Sequence, residues 1–78
     1  MAKKVKSKTT KLYLDNTDKI AIVEMINKSA GFQILLHSGR EDKLKTEIKS
    51  KIIYSELDAI EKYDKVILEY NNKGYFIK

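Results

Sequence analysis

The residue types that do chemistry are scarce in this chain. It has one histidine, His37, no cysteine and three glycines. A nucleophile–base pair must therefore use His37 as its base. The missing thiols exclude disulfides, a thiolate nucleophile and a zinc knuckle, and His37 has no second histidine with which to share a metal. His37 closes the apolar run Phe32–His37 just before a turn, where a lone imidazole serves packing or an edge contact more often than proton transfer. Glu41-Asp42 sits in that turn, and Glu56 and Asp58 sit at a helix start. Their closeness follows from those local structures. No G-x-x-x-x-G-K-[ST], G-x-G-x-x-G or H-E-x-x-H pattern occurs, and the glycines read as turn residues. The expectation is a protein that is not an enzyme, with no catalytic residue, cofactor, metal or small-molecule substrate.

Lysine placement says more. Residues 1–11 hold Lys3, Lys4, Lys6, Lys8 and Lys11 and no acid, while the rest of the chain balances eleven Lys/Arg against eleven Asp/Glu. The formal +5 thus belongs to the N-terminal arm. Lysines that neutralise phosphates release condensed counterions and give salt-sensitive, sequence-blind affinity. These five are the candidate polyanion contacts, although a lysine tail also keeps a neutral domain soluble. A second basic group, Lys43, Lys45 and Lys49, alternates along one segment, but Glu47 interrupts it. Lys73-Gly74-Tyr75-Phe76 resembles the opening of a base-stacking strand in RNA-recognition domains. No companion motif accompanies it, and cross-strand packing of the aromatics is the simpler account.

Seventy-eight residues make one modest domain. Residues 1–8 lack periodicity and read as a disordered basic arm, with a single domain over 9–78. No apolar run approaches the ~18 residues a membrane span needs, and no apolar stretch follows the leading lysines as in a secretory leader. Cytoplasmic placement away from membranes is expected. Residues 9–14 are rich in strand formers. Asp15-Asn16-Thr17-Asp18 resembles a helix start, with Ile22, Val23, Ile26 and Ala30 on one helical face and Gly31 at the C-terminal end. Residues 32–37 and 43–49 read as strands, the second alternating cleanly around Leu44, Thr46 and Ile48. Ile53, Leu57 and Ile60 give a second helix ending near Tyr63, with Ser55 or Ser50 at its start. Residues 65–70 read as a strand that turns at 71–74 into a short strand at 75–77. The expected fold is α+β, a two-layer open-faced sandwich in the order β-α-β-β-α-β with a short C-terminal β-extension.

That order, with Ile22-Val23 in the first helix and Lys49-Ser50 before the second, resembles the HPr phosphocarrier family. So does Asp64-Lys65-Val66-Ile67-Leu68, read as the following strand. The resemblance covers residues 12–70 and implies a docking scaffold in which Ser50 is a modification candidate. The family's phosphorylated histidine lies in a His-x-Arg-Pro context at the start of the first helix. That place reads Asp15-Asn16-Thr17-Asp18 here, which excludes phosphoryl transfer at that site.

These readings lead to a small non-catalytic regulatory or accessory protein that docks on a protein partner or on itself, the arm adding electrostatic attraction. Self-association is expected at the free edge of residues 75–77. Nucleic-acid binding through the arm is the alternative, and a degenerate HPr-like domain the third. The lysine- and isoleucine-rich composition suits a low-GC bacterium or its phages.

Overall fold

Alternation of side chains between two faces explains most of the architecture. The computed structural model describes residues 8–28 and 30–77. Its elements are β1 (Lys8–Leu14), β2 (Lys19–Lys28), β3 (Gly31–Arg40), β4 (Lys43–Ile48), α1 (Glu56–Asn72) and β5 (Tyr75–Ile77). The strands form one sheet in the order β4-β3-β2-β1-β5, with every neighbouring pair antiparallel. The helix packs on one side of it.

This β-β-β-β-α-β order corrects the expected β-α-β-β-α-β sandwich at two places. The first is residues 19–28, a strand rather than a helix. Ile20, Ile22, Val23 and Ile26 are β-branched and favour extended backbone. The segment also alternates between the two faces. Ala21, Val23 and Met25 are buried on one side, and Ile22, Glu24 and Ile26 are half-buried on the other. β2 pairs with β3 from Lys19↔Arg40 through Lys28↔Gly31. The polar cluster before it is a turn. Asn16 takes φ 63°, while the Thr17 hydroxyl donates to Leu14 O at 2.8 Å and accepts from Lys19 N–H at 3.0 Å. Turns and helix caps draw on the same short polar residues.

The second correction falls at residues 65–70, which belong to α1 and not to a strand. Ala59, Tyr63 and Val66 are its buried stripe, and Ile60, Ile67 and Tyr70 pack beside the core. The helical period therefore runs straight through Val66-Ile67-Leu68. Ser55 is the N-cap, its hydroxyl accepting from Asp58 N–H at 3.3 Å. Residues 75–77 consequently do not fold back on 65–70 but pair with β1, Leu12↔Ile77 to Leu14↔Tyr75. The two-helix arrangement implied by the phosphocarrier resemblance is likewise absent from the described residues.

The core lies between α1 and one sheet face: Leu12, Ala21, Val23, Met25, Phe32, Ile34 and Leu36 against Ala59, Tyr63 and Val66. Each large side chain buried this way contributes about 1.5–3 kcal/mol. Tyr63 also exchanges a hydrogen bond with the Thr10 hydroxyl of β1. Burial raises the Tyr63 pKa above its ordinary 10.0, the Thr10 bond opposes that rise and Asp64 adds to it.

Between β4 and α1 the chain stays attached to β3 through a bulge. Phe32 and Ile53 exchange backbone hydrogen bonds of 2.8 and 2.7 Å, and the Ser50 hydroxyl accepts from Ile34 N–H at 3.1 Å. Gly31 permits this close approach, because a Cβ there would meet Ile53 O at 2.6 Å. Among the described residues no helix is long and apolar enough to cross a membrane.

Candidate functional site

One helix covers one face of the sheet, and the other face has no layer of this chain over it among the described residues. The strand registers fix its composition. One cross-strand row runs Phe76, Tyr13, Ile20, Gly39, Leu44; the next, Lys11, Ile22, His37, Thr46; the next, Thr9, Glu24, Leu35, Ile48. Phe76 is 39% exposed, Leu44 38% and Ile48 62%. The rim is apolar and aromatic. Lys11 sits over Tyr13, its Nζ 5.2 Å from the ring centre and 3.9 Å from Glu41 Oε2.

The centre is polar. His37 Nε2 lies 2.9 Å from Glu24 Oε1, and His37 Nδ1 lies 2.8 Å from Thr46 Oγ1. Three adjacent strands each supply one member of this chain. His37 thus occupies the middle of the bare face, tied on both ring nitrogens. In the tautomer that carries its proton on Nε2, that nitrogen donates to Glu24 and Nδ1 accepts from the Thr46 hydroxyl.

A carboxylate–imidazole–hydroxyl line has the elements of a nucleophile relay. Thr46 stands on an edge strand exposed along its whole length. A furrow lined by Lys62, Lys65, Val66, Leu68, Glu69 and Asn72 lies wholly on α1, on the opposite side of the sheet. The two hydrogen bonds pin these side chains to one another across β2, β3 and β4. No group of three or more metal-ligating side chains converges among the described residues.

The lysines singled out from sequence do not gather at one place. Lys3, Lys4 and Lys6 lie outside the described residues. Lys8 and Lys11 both sit on β1, but on opposite faces: Lys8 Nζ is 6.0 Å from the Tyr63 ring on the helix side, and Lys11 belongs to the bare face. Lys43, Lys45 and Lys49 share the helix side of β4, where Lys49 Nζ is 3.7 Å from Glu47. Ser50 is half-buried in the bulge, where Gln33 Nε2 donates to its carbonyl at 3.2 Å. Its hydroxyl completes the ladder at Ile34 N–H, so modifying it would remove that bond.

Sequence reasoning missed Glu24, Thr46 and the Tyr13–Phe76 pair. The signal that finds them is a β2–β3 hairpin hinged at Gly31, because it puts Glu24 and His37 on one face. No family model, curated protein or solved structure matches the chain.

Proposed function

We propose that the protein is a small non-catalytic regulatory or accessory protein that docks on a protein partner through the bare sheet face, its lysine-rich N-terminal arm adding electrostatic attraction. The observation that supports this reading is the rim of exposed Leu44, Ile48 and Phe76 and half-buried Tyr13 around a fixed polar centre. An apolar rim excludes water from a contact, and the Glu24–His37–Thr46 chain offers the orientation that apolar contact lacks. Four strands of six or more residues and the three-residue β5, about 4.8 Å apart, make a face on the order of 20 by 20 Å, suited to a weak or transient contact.

The test is site-specific photo-crosslinking in a bacterial extract, with the reactive residue at Leu44 in one variant and at Glu61 on the exposed side of α1 in another. Discrete adducts from position 44 and not from 61 support the reading. Equal labelling from both positions counts against it.

Nucleic-acid binding is the second reading, favoured by the Tyr13–Phe76 aromatic pair with Lys11 beside it. Titration of single-stranded and duplex DNA and RNA across a salt series separates the two, using the full chain and a chain lacking residues 1–8. Binding lost with the arm assigns the affinity to the arm's lysines, and binding lost in Tyr13→Ala assigns it to the sheet.

A further inference from the structure

The two edges of the sheet differ in what they leave unpaired. β5 offers three residues, whereas β4 offers the run Lys43–Ile48, exposed along its whole length. Lys49 N–H donates to Ile34 O at 2.8 Å, which marks Ile34 and Lys49 as a hydrogen-bonded pair. In an antiparallel ladder such pairs alternate with non-bonded ones. Lys43, Lys45 and Glu47 therefore turn their backbone groups toward β3, while Leu44, Thr46 and Ile48 turn theirs outward.

The sequence of this edge is self-complementary about Thr46. Laid antiparallel against a second copy with Thr46 opposite Thr46, Leu44 meets Ile48 and Lys45 meets Glu47, each twice by symmetry. The three residues with outward backbone groups then face one another and exchange about six hydrogen bonds. Lys45 and Glu47 fall at non-hydrogen-bonded positions, where side chains approach most closely and opposite charges attract. Apolar side chains meet on the bare face and charged ones on the helix side. Other registers lose this match: centring on Lys45 opposes it to itself, centring on Glu47 opposes Lys45 to Lys49, and a one-residue slip sets Leu44 and Ile48 against charged residues. The cost of the favoured register is Lys43 opposite Lys49, reduced by the Glu47 carboxylate 3.7 Å from Lys49 Nζ.

We propose that β4 is a self-pairing edge, through which two copies join by a two-fold axis at Thr46 into one continuous ten-stranded sheet. Both helices then lie on one side and both bare faces on the other. This pairing stands on the edge itself and is independent of what the bare face seats. It also moves self-association from the 75–77 edge expected from sequence to the opposite edge of the sheet.

The experiment is sedimentation equilibrium of the full chain from low micromolar to high micromolar concentration, alongside Lys45→Glu, Glu47→Lys, the double variant and an equimolar mixture of the two single variants. A wild-type dimer is expected. Each single variant turns both symmetric attractions into repulsions and weakens association by on the order of tenfold or more. The double variant restores both pairs, and the mixture restores them across a heterodimer. Ile48→Pro removes an outward N–H that β3 does not use, so it gives a folded monomer. A wild-type chain that stays monomeric throughout overturns the proposal. So do single variants that associate like wild type, or a mixture that fails to recover.

Discussion

Ile34 and Leu35 are neighbours on one strand yet belong to different environments. Ile34 is fully buried under α1, whereas Leu35 looks out from the bare face and is only half-buried. The same contrast repeats along β2, with Val23 and Met25 inside and Ile22 and Ile26 outside. Both faces carry apolar side chains, but only one is covered by α1. Apolar patterning in this chain thus follows two environments, a covered face on the helix side and a water-reached face on the other.

Substitutions that set the faces against each other test that division. Ile34→Ala leaves a cavity under α1 and should cost about 2–5 kcal/mol. Leu35→Ala, one position along, should cost about 1 kcal/mol, because water already reaches that face. Urea unfolding of the two variants measures the gap, and equal costs would break the comparison. Gly31→Ala pushes a methyl into Ile53 O and Ile52. It should loosen the attachment that launches α1 onto the covered face, at about 1–3 kcal/mol by the same measurement.

Tyr63→Phe removes the hydrogen bond to Thr10 and should cost about 0.5–1.5 kcal/mol near neutral pH. The wild-type pH dependence sharpens this. The folded chain keeps the Tyr63 proton above pH 10.0, where the unfolded chain has begun to lose it. This contribution is therefore full below pH 10 and declines as pH rises through the raised folded value. The Phe variant should lack that alkaline component, read as the difference between the two stability–pH profiles. The smallest effect is expected on the bare face. His37→Ala breaks the pin between Glu24 and Thr46 and should change stability by less than about 1 kcal/mol, since its partners remain reachable by water. Partner adducts at position 44 should fall in the same variant.

Much of the local structure was legible in the sequence. β4 announced itself through the alternation of Leu44, Thr46 and Ile48, whereas the second helix is legible only approximately. Its start stays open between Ser50 and Ser55, Leu57 of the expected stripe is exposed, and Ile53 lies outside the helix. What misled was apolarity on both sides of a strand. Ile20-Ala21-Ile22-Val23 lacks the polar–apolar alternation of a half-buried strand, and Ile22, Val23, Ile26 and Ala30 fit a helical face equally well. Val66-Ile67-Leu68 posed the reverse problem, since an apolar triplet with two β-branched members resembles a strand until Ala59, Tyr63 and Tyr70 extend the helical stripe past it. The candidate site was hidden by the first of these ambiguities. Glu24 reaches His37 only when 19–28 is extended, so a helix there scatters the bare face.

The return of β5 to β1 also bears on how the chain folds. β1 to β4 are joined as successive hairpins, each closing a loop of a few residues beside its neighbour. Leu14 and Tyr75 are partners across nearly the whole chain, about 60 residues of loop whose closure entropy must be met before their contact contributes anything. The meander can therefore assemble locally and early, with the helix and last strand closing over it as the slow, non-local step. Mutations at the β1–β5 seam should act mainly on unfolding rates, and those in the β2–β3 hairpin on folding rates.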